Sequence, residues 1–180
     1  KKKNIRIILI SSISVYGENL DHPSKESDEL NPMGVYGDTK RKGELAVINS
    51  VIDGIVIRTS WLYSAYGNNF LKTILRLGNE RDEFGWFLIK WDHQTNASDL
   101  AKSCLDILAF SKEANINSKG NLYHFSNEGV ASWYDFSIAI MALGKVDCHV
   151  KPIETKDYPT QAISPQYAVL YKSKINLILK

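Results

Sequence analysis

The sequence predicts an α/β fold built on a parallel sheet. Three observations lead there. Short, continuous apolar runs recur at residues 5–10, 54–58 and 121–125, and unbroken runs of this kind suit parallel strands covered on both faces. Stretches with helical periodicity lie between them. Two of the runs end in hydroxyl-bearing residues, Ser11-Ser12 and Thr59-Ser60. Ligands of open α/β sheets bind beyond the carboxyl ends of the strands.

In chain order, Ile5 to Ile10 reads as a first buried strand, and residues 17–34 as a polar loop. A helix is expected from about Val35 to Ser50. Its Leu45, Ala46 and Ile48 form the apolar side, and Asp38, Arg41, Lys42 and Glu44 a solvated face. Gly54 to Arg58 is a second buried strand. Asn69 or Asn68 caps a helix of residues 69–80. Phe84 to Ile89 suggests a strand, and His93 reads as a loop residue. Ser98 is the expected cap of a helix to about Phe110, with Leu100, Cys104, Leu105 and Leu108 on one apolar side. Asn121 to Phe125 is a third strand, and Ser126 to Gly129 a turn. Ser132 caps a helix from Trp133 to Leu143, with Gly144 past its end. Residues 149–171, with three prolines, read as loop with short extended pieces, and Ser173-Lys174-Ile175 opens a last short helix.

The chemistry concentrates at Tyr36-Gly37-Asp38-Thr39-Lys40. Residues four apart share one face of a helix, so the phenol of Tyr36 and the ammonium of Lys40 point into the same space. An ammonium beside a phenol stabilises the phenolate, which suits a tyrosine to proton transfer. A serine from the end of the first strand can hydrogen-bond the oxygen that exchanges the proton.

The stretches SSISVYG, KESDELNPMGVYGDTKRKGE, RTSWLYSAYGNNFLKTILRLGNERDE, NASDLA, GNLYHFSNEGVASWYDFSIAI and, more loosely, SPQYAVLYKSKI stand in one order from about residue 5 to the C-terminus. Together they resemble the extended short-chain dehydrogenases/reductases, and within them the dTDP-4-dehydrorhamnose reductase group. The resemblance implies the C-terminal part of a Rossmann-like, doubly wound reductase with a small α/β substrate-binding part. Residues 1–62 would complete the cofactor domain with its catalytic Tyr and Lys. Residues 63–180 would be mainly substrate-binding, with some elements returning to the first domain.

The resemblance also implies roles. The family's catalytic serine or threonine stands three positions before the Val of a Val-Tyr or Val-Phe pair, here Ser12. Ser12, Tyr36 and Lys40 are the implied catalytic set. Ser11, Thr59 and Ser60, with Tyr36 and Lys40, would line the cofactor. Ser12, Trp61 and Asn69 would contact the sugar nucleotide. The implied reaction is NAD(P)H-dependent reduction of dTDP-4-dehydrorhamnose to dTDP-L-rhamnose, with NADH against NADPH left open. A non-catalytic binding or regulatory protein on the same fold, or a nucleotide-sugar epimerase or dehydratase, are the alternatives. Magnesium and a homodimer are allowed by resemblance alone.

The sequence departs from the family in three places. The loop before Ala97 lacks the family's Gly and Pro, and Ser164 stands where an arginine usually precedes Pro165. None of the 11 glycines sits in a glycine-rich strand-to-helix turn of the kind that cradles a pyrophosphate. The chain is therefore expected to be the C-terminal portion of a reductase.

Composition excludes several classes. With 44% hydrophobic and 23% charged residues and a net charge of +2, bulk attraction to nucleic acid or an anionic membrane is not expected. No apolar run approaches the roughly 20 residues of a membrane span. Cys104 and Cys148 stand far apart and form no paired-cysteine metal-binding spacing, so no metal site is expected from them, and a reducing, cytoplasmic setting is.

Overall fold

The computed structural model describes residues 6–18, 22–49, 54–87, 91–113, 121–153 and 165–179. In chain order the elements are β1 (Ile7–Ser12), a 3-10 turn (Ile13–Val15), α1 (Val35–Ile48), β2 (Gly54–Thr59), β3 (Leu62–Tyr63), α2 (Phe70–Glu80), β4 (Glu83–Phe87) and β5 (Trp91–Asp92). They continue with β6 (Thr95–Asn96), α3 (Ala97–Glu113), β7 (Asn121–Phe125), β8 (Ala131–Ser132), α4 (Trp133–Gly144), β9 (His149–Ile153), β10 (Tyr167–Ala168) and α5 (Ser173–Asn176).

The three apolar runs pair as one parallel sheet in the order β1-β2-β7. Side chains of β2 alternate between its faces. Ile55 and Ile57 pack with Leu100 and Ile107 of α3, Tyr123 of β7 and Ile175 of α5. Arg58, of the other parity, meets Glu44 of α1. Helices therefore cover both faces, as a parallel sheet requires. A second cluster joins Ile74 of α2, Phe84 of β4, Ile140 and Met141 of α4, and Val150 of β9, around a parallel β4–β9 pair. Between the two clusters run the β3–β6 pair and a small mixed sheet in the order β10-β5-β8.

Several elements differ from expectation. β1 runs to Ser12, so Ser11 and Ser12 belong to the strand itself. Its flank is not fully covered, with Ile7 38% exposed, whereas every residue of β2 is buried. The reason is position: β2 lies between two strands, and β1 pairs with β2 alone among the described residues. In α1 the expected faces exchange. Leu45 and Ala46 are exposed, and the buried positions are Gly37 and Glu44. Ser50 lies outside the described residues.

In α3 the cap is Asn96, whose Oδ1 accepts from the Ser98 amide at 2.8 Å, two residues before the expected cap. Leu105 is 67% exposed, while Leu100, Ser103, Ile107 and Ser111 are buried, a stripe at helical spacing. The expected strand to Ile89 is described to Phe87, and residues 88–90 lie outside the described residues. Gly144 closes α4 rather than following it, and Lys145 takes the left-handed conformation with φ 53°. Within residues 149–171, β9 and β10 are short extended pieces of the kind expected there. The other caps stand as expected: Asn69 accepts from Lys72 N, and Ser132 forms a capping box with Asp135.

Candidate active site

Beyond the carboxyl ends of β1 and β2 lies a cavity of about 360 Å³. Ser11, Ser12 and Ser14 reach it from β1 and the 3-10 turn, and Tyr36 and Lys40 from the first turns of α1. Ser12 Oγ caps the 3-10 turn, accepting from Ser14 N at 3.2 Å and donating to Ser14 Oγ at 3.1 Å. Gly37 lets α1 sit against that turn. A Cβ there would collide with the Ser14 carbonyl oxygen and stand 2.9 Å from Pro32 Cβ. The helix bearing Tyr36 and Lys40 is thus held directly against the turn bearing Ser12.

Lys40 Nζ donates to the Ile10 carbonyl at 3.1 Å and lies 5.7 Å from the centroid of the Tyr36 ring. This contact anchors the ammonium on β1. Tyr36 is 59% exposed, open to an incoming reactant.

The opposite wall comes from β2 and the segments after it. Thr59, Ser60 and Trp61 line it, with Trp91, Asp92 and Trp133. Thr59 Oγ1 donates to Thr95 Oγ1 at 3.3 Å, and Ser60 Oγ donates to Asp92 Oδ1. Trp61 adopts a positive φ of 24°, a region that bulky residues enter only when their surroundings enforce it. Its indole meets Trp133 edge-to-face, with ring centroids 3.9 Å apart. Burial raises the carboxyl of Asp92 well above the usual carboxylate range. No ion pair among the described residues offers it a cation.

Of the residues singled out from sequence, Ser11, Ser12, Tyr36, Lys40, Thr59, Ser60 and Trp61 meet at this one cavity. Asn69 does not line it. Its Oδ1 caps α2, and its Nδ2 donates to the Ser64 and Tyr66 carbonyls at 2.8 and 3.2 Å. His93 is buried between β5 and β6. Its ring nitrogens lie 2.6 and 3.3 Å from the Gly129 and Leu170 carbonyl oxygens, and desolvation lowers its pKa. Sequence reasoning passed over Asp92, Trp91 and Trp133. No local signal marked them, because Trp61 and Trp133 come to Asp92 only in the fold. Pro165 lines the cavity, while Ser164 lies outside the described residues.

Behind the cavity runs a buried polar chain. Arg58 donates to Tyr16 Oη, which lies 2.6 Å from His124 Nε2. His124 Nδ1 lies 3.0 Å from the Tyr171 carbonyl oxygen. These contacts are satisfied together when the imidazole is neutral with its proton on Nδ1. Burial is the main cause that holds the His124 pKa down at about 3, and it raises that of Tyr16.

The donor set fits the nicotinamide and ribose end of a dinucleotide. Ser11 Oγ is buried without a hydrogen-bond partner among the described residues, on the same cavity as the Tyr36 hydroxyl and the Lys40 ammonium. Magnesium finds no such support: no cluster of three or more His, Cys, Asp or Glu side chains could hold a metal among the described residues. No helix among them is long and apolar enough to cross a membrane.

A family model described as the RmlD substrate binding domain matches residues 1–180. A dTDP-4-dehydrorhamnose reductase of Aggregatibacter actinomycetemcomitans is 35% identical over 97% of this chain and 61% of its own length. Among solved structures, a dTDP-4-dehydrorhamnose reductase from Clostridium acetobutylicum superposes with a TM-score of 0.86 at 34% identity, over 96% of this chain and 59% of that one. The Bacillus anthracis enzyme, solved in complex with NADP, gives a TM-score of 0.83 at 29% identity, over 94% of this chain and 58% of that one. The chain thus spans about 60% of the length of such relatives.

Proposed function

The chain belongs to the RmlD substrate-binding-domain family, and on that footing we propose that it carries the acid–base and sugar-binding machinery of an NAD(P)H-dependent dTDP-4-dehydrorhamnose reductase. The observation that carries the proposal is the convergence of Ser12, Tyr36 and Lys40 on one cavity at the carboxyl ends of two parallel strands. The reductase names of the relatives support it.

The bound nicotinamide cofactor supplies a hydride to the C4 ketone of dTDP-4-dehydrorhamnose. Tyr36 donates its phenolic proton to the oxygen of that ketone, leaving the C4 hydroxyl of dTDP-L-rhamnose. Lys40, held by the Ile10 carbonyl, stabilises the phenolate left behind and holds the nicotinamide ribose. Ser12 hydrogen-bonds the ketone oxygen and sets its distance from Tyr36. Ser11, Thr59 and Ser60 line the nicotinamide side, and Trp61 packs on the sugar. Asn69 acts through the loop it ties together before α2. The NADP in the Bacillus anthracis structure supports NADPH as the cofactor.

Finer parts of the reading go with it. Residues 1–62 complete the cofactor domain, and residues 63–180 are mainly substrate-binding. The protein works in the cytoplasm as a homodimer, and its product feeds cell-surface polysaccharide.

The test is NADPH oxidation with dTDP-4-dehydrorhamnose, wild type against Tyr36→Phe. Loss of the general acid should lower turnover about a hundred- to ten-thousandfold. A Tyr36→Phe variant with undiminished turnover sinks the proposal.

A further inference from the structure

We propose that Asp92 is a specificity-determining residue that hydrogen-bonds a hydroxyl group of the bound sugar through its free carboxyl oxygen. The inference rests on the substrate reading above and adds a residue to it. Asp92 is 2% exposed and lines the cavity with Ser60. Its two oxygens differ. Oδ1 accepts from Ser60 Oγ, whereas Oδ2 is buried with no hydrogen-bond partner among the described residues. A buried polar atom without a partner is destabilising in the empty protein, and a ligand that supplies the partner gains what the protein lacks.

The surroundings say what that ligand group is. Trp61, Trp91 and Trp133 line the same cavity. Indole faces suit the C–H faces of a pyranose, and the ring's hydroxyls then need a polar group placed among the aromatics. Asp92 and Ser60 are the polar pair on that wall. Burial favours the neutral acid, and in that form the free oxygen can donate to a hydroxyl oxygen. Tyr36 and Lys40 reach the cavity from α1, a different element from the β5 strand that holds Asp92. Recognition and proton transfer thus use different side chains.

The test is calorimetric titration of the full chain and its Asp92→Ala and Asp92→Asn variants with dTDP-L-rhamnose, dTDP and NADPH. Asp92→Ala should weaken dTDP-L-rhamnose about tenfold and leave dTDP and NADPH unchanged. Asp92→Asn should restore affinity to within about twofold, because an amide both accepts from Ser60 and donates from Nδ2. An Asp92→Ala variant that binds dTDP-L-rhamnose as wild type does overturns the inference. So does one that loses dTDP or NADPH to the same degree, and so does an Asp92→Asn variant as weak as alanine. A wild-type protein that binds neither dTDP nor dTDP-L-rhamnose overturns the substrate reading itself.

Discussion

Arg58 and Glu44 meet in a bidentate ion pair, with Nε–Oε1 at 2.8 Å and Nη2–Oε2 at 2.6 Å, and neither side chain is more than 3% exposed. The pair joins α1, which carries Tyr36 and Lys40, to the end of β2, which carries Thr59 and Ser60. It sets one wall of the cavity against the other. Two charges taken out of water are tolerated because each satisfies the other in fork geometry.

Removing one partner strands the other. Glu44→Ala should destabilise the fold by about 3–5 kcal/mol, read as a lower urea midpoint at unchanged slope. Replacing both residues with apolar ones of similar volume should recover most of that loss. A double-variant loss equal to the sum of the two single-variant losses would mean that the pair is not coupled.

His124 gives a pH dependence with a definite sign. Its folded pKa is pushed down to about 3, below the unfolded value of about 6.5. Between these values the unfolded chain binds a proton that the folded one does not, so stability rises with pH there. It is fully present above about pH 6.5 and is lost as pH falls toward 3. The neighbouring charges are Arg58, Glu26, Asp28 and Lys174. Thermal unfolding at pH 7 and pH 4.5 should show a smaller acid-induced drop in His124→Gln than in wild type. An identical drop in both would place the acid sensitivity elsewhere.

Gly37 and Gly34 form a matched pair of tests. Alanine at Gly37 must displace α1 from the Ser12–Ser14 turn, at a cost of about 1–3 kcal/mol and with loss of activity. Gly34 has open space around a would-be Cβ and an extended φ of −161°, so Gly34→Ala should leave both stability and turnover near wild type. Comparing melting temperature and turnover in the two variants checks the close approach. A tolerated Gly37→Ala would contradict it.

Lys40 is tied to the Ile10 carbonyl and stands over the Tyr36 ring. Lys40→Met should lower turnover by about a hundredfold or more, while shifting stability by less than about 1 kcal/mol. Steady-state kinetics alongside denaturant unfolding separates the two effects. A large stability loss with proportionate activity loss would make Lys40 a structural residue.

Much of the fold was legible because the parallel strands announce themselves. Ile-Ile-Leu-Ile, Gly-Ile-Val-Ile and Asn-Leu-Tyr-His-Phe all enter one sheet. The caps Asn69 and Ser132 were readable for the same local reason, side-chain acceptors ahead of an apolar helix. The failures are tertiary. Glu44 read as solvated because a charge on a helix usually is, and its partner Arg58 lies on another element. In the site, the Tyr36–Lys40 spacing and the strand-end serines were legible as local patterns. Asp92 was not, because only folding brings it beside Ser60 and the tryptophans.

Three of the chain's four tryptophans, Trp61, Trp91 and Trp133, line one cavity. The protein therefore carries its own optical reporter. Indole emission overlaps the absorption band of a reduced nicotinamide, so a reduced nicotinamide bound in the cavity would quench the protein's fluorescence and light its own. Occupancy can be followed in real time, with no label attached.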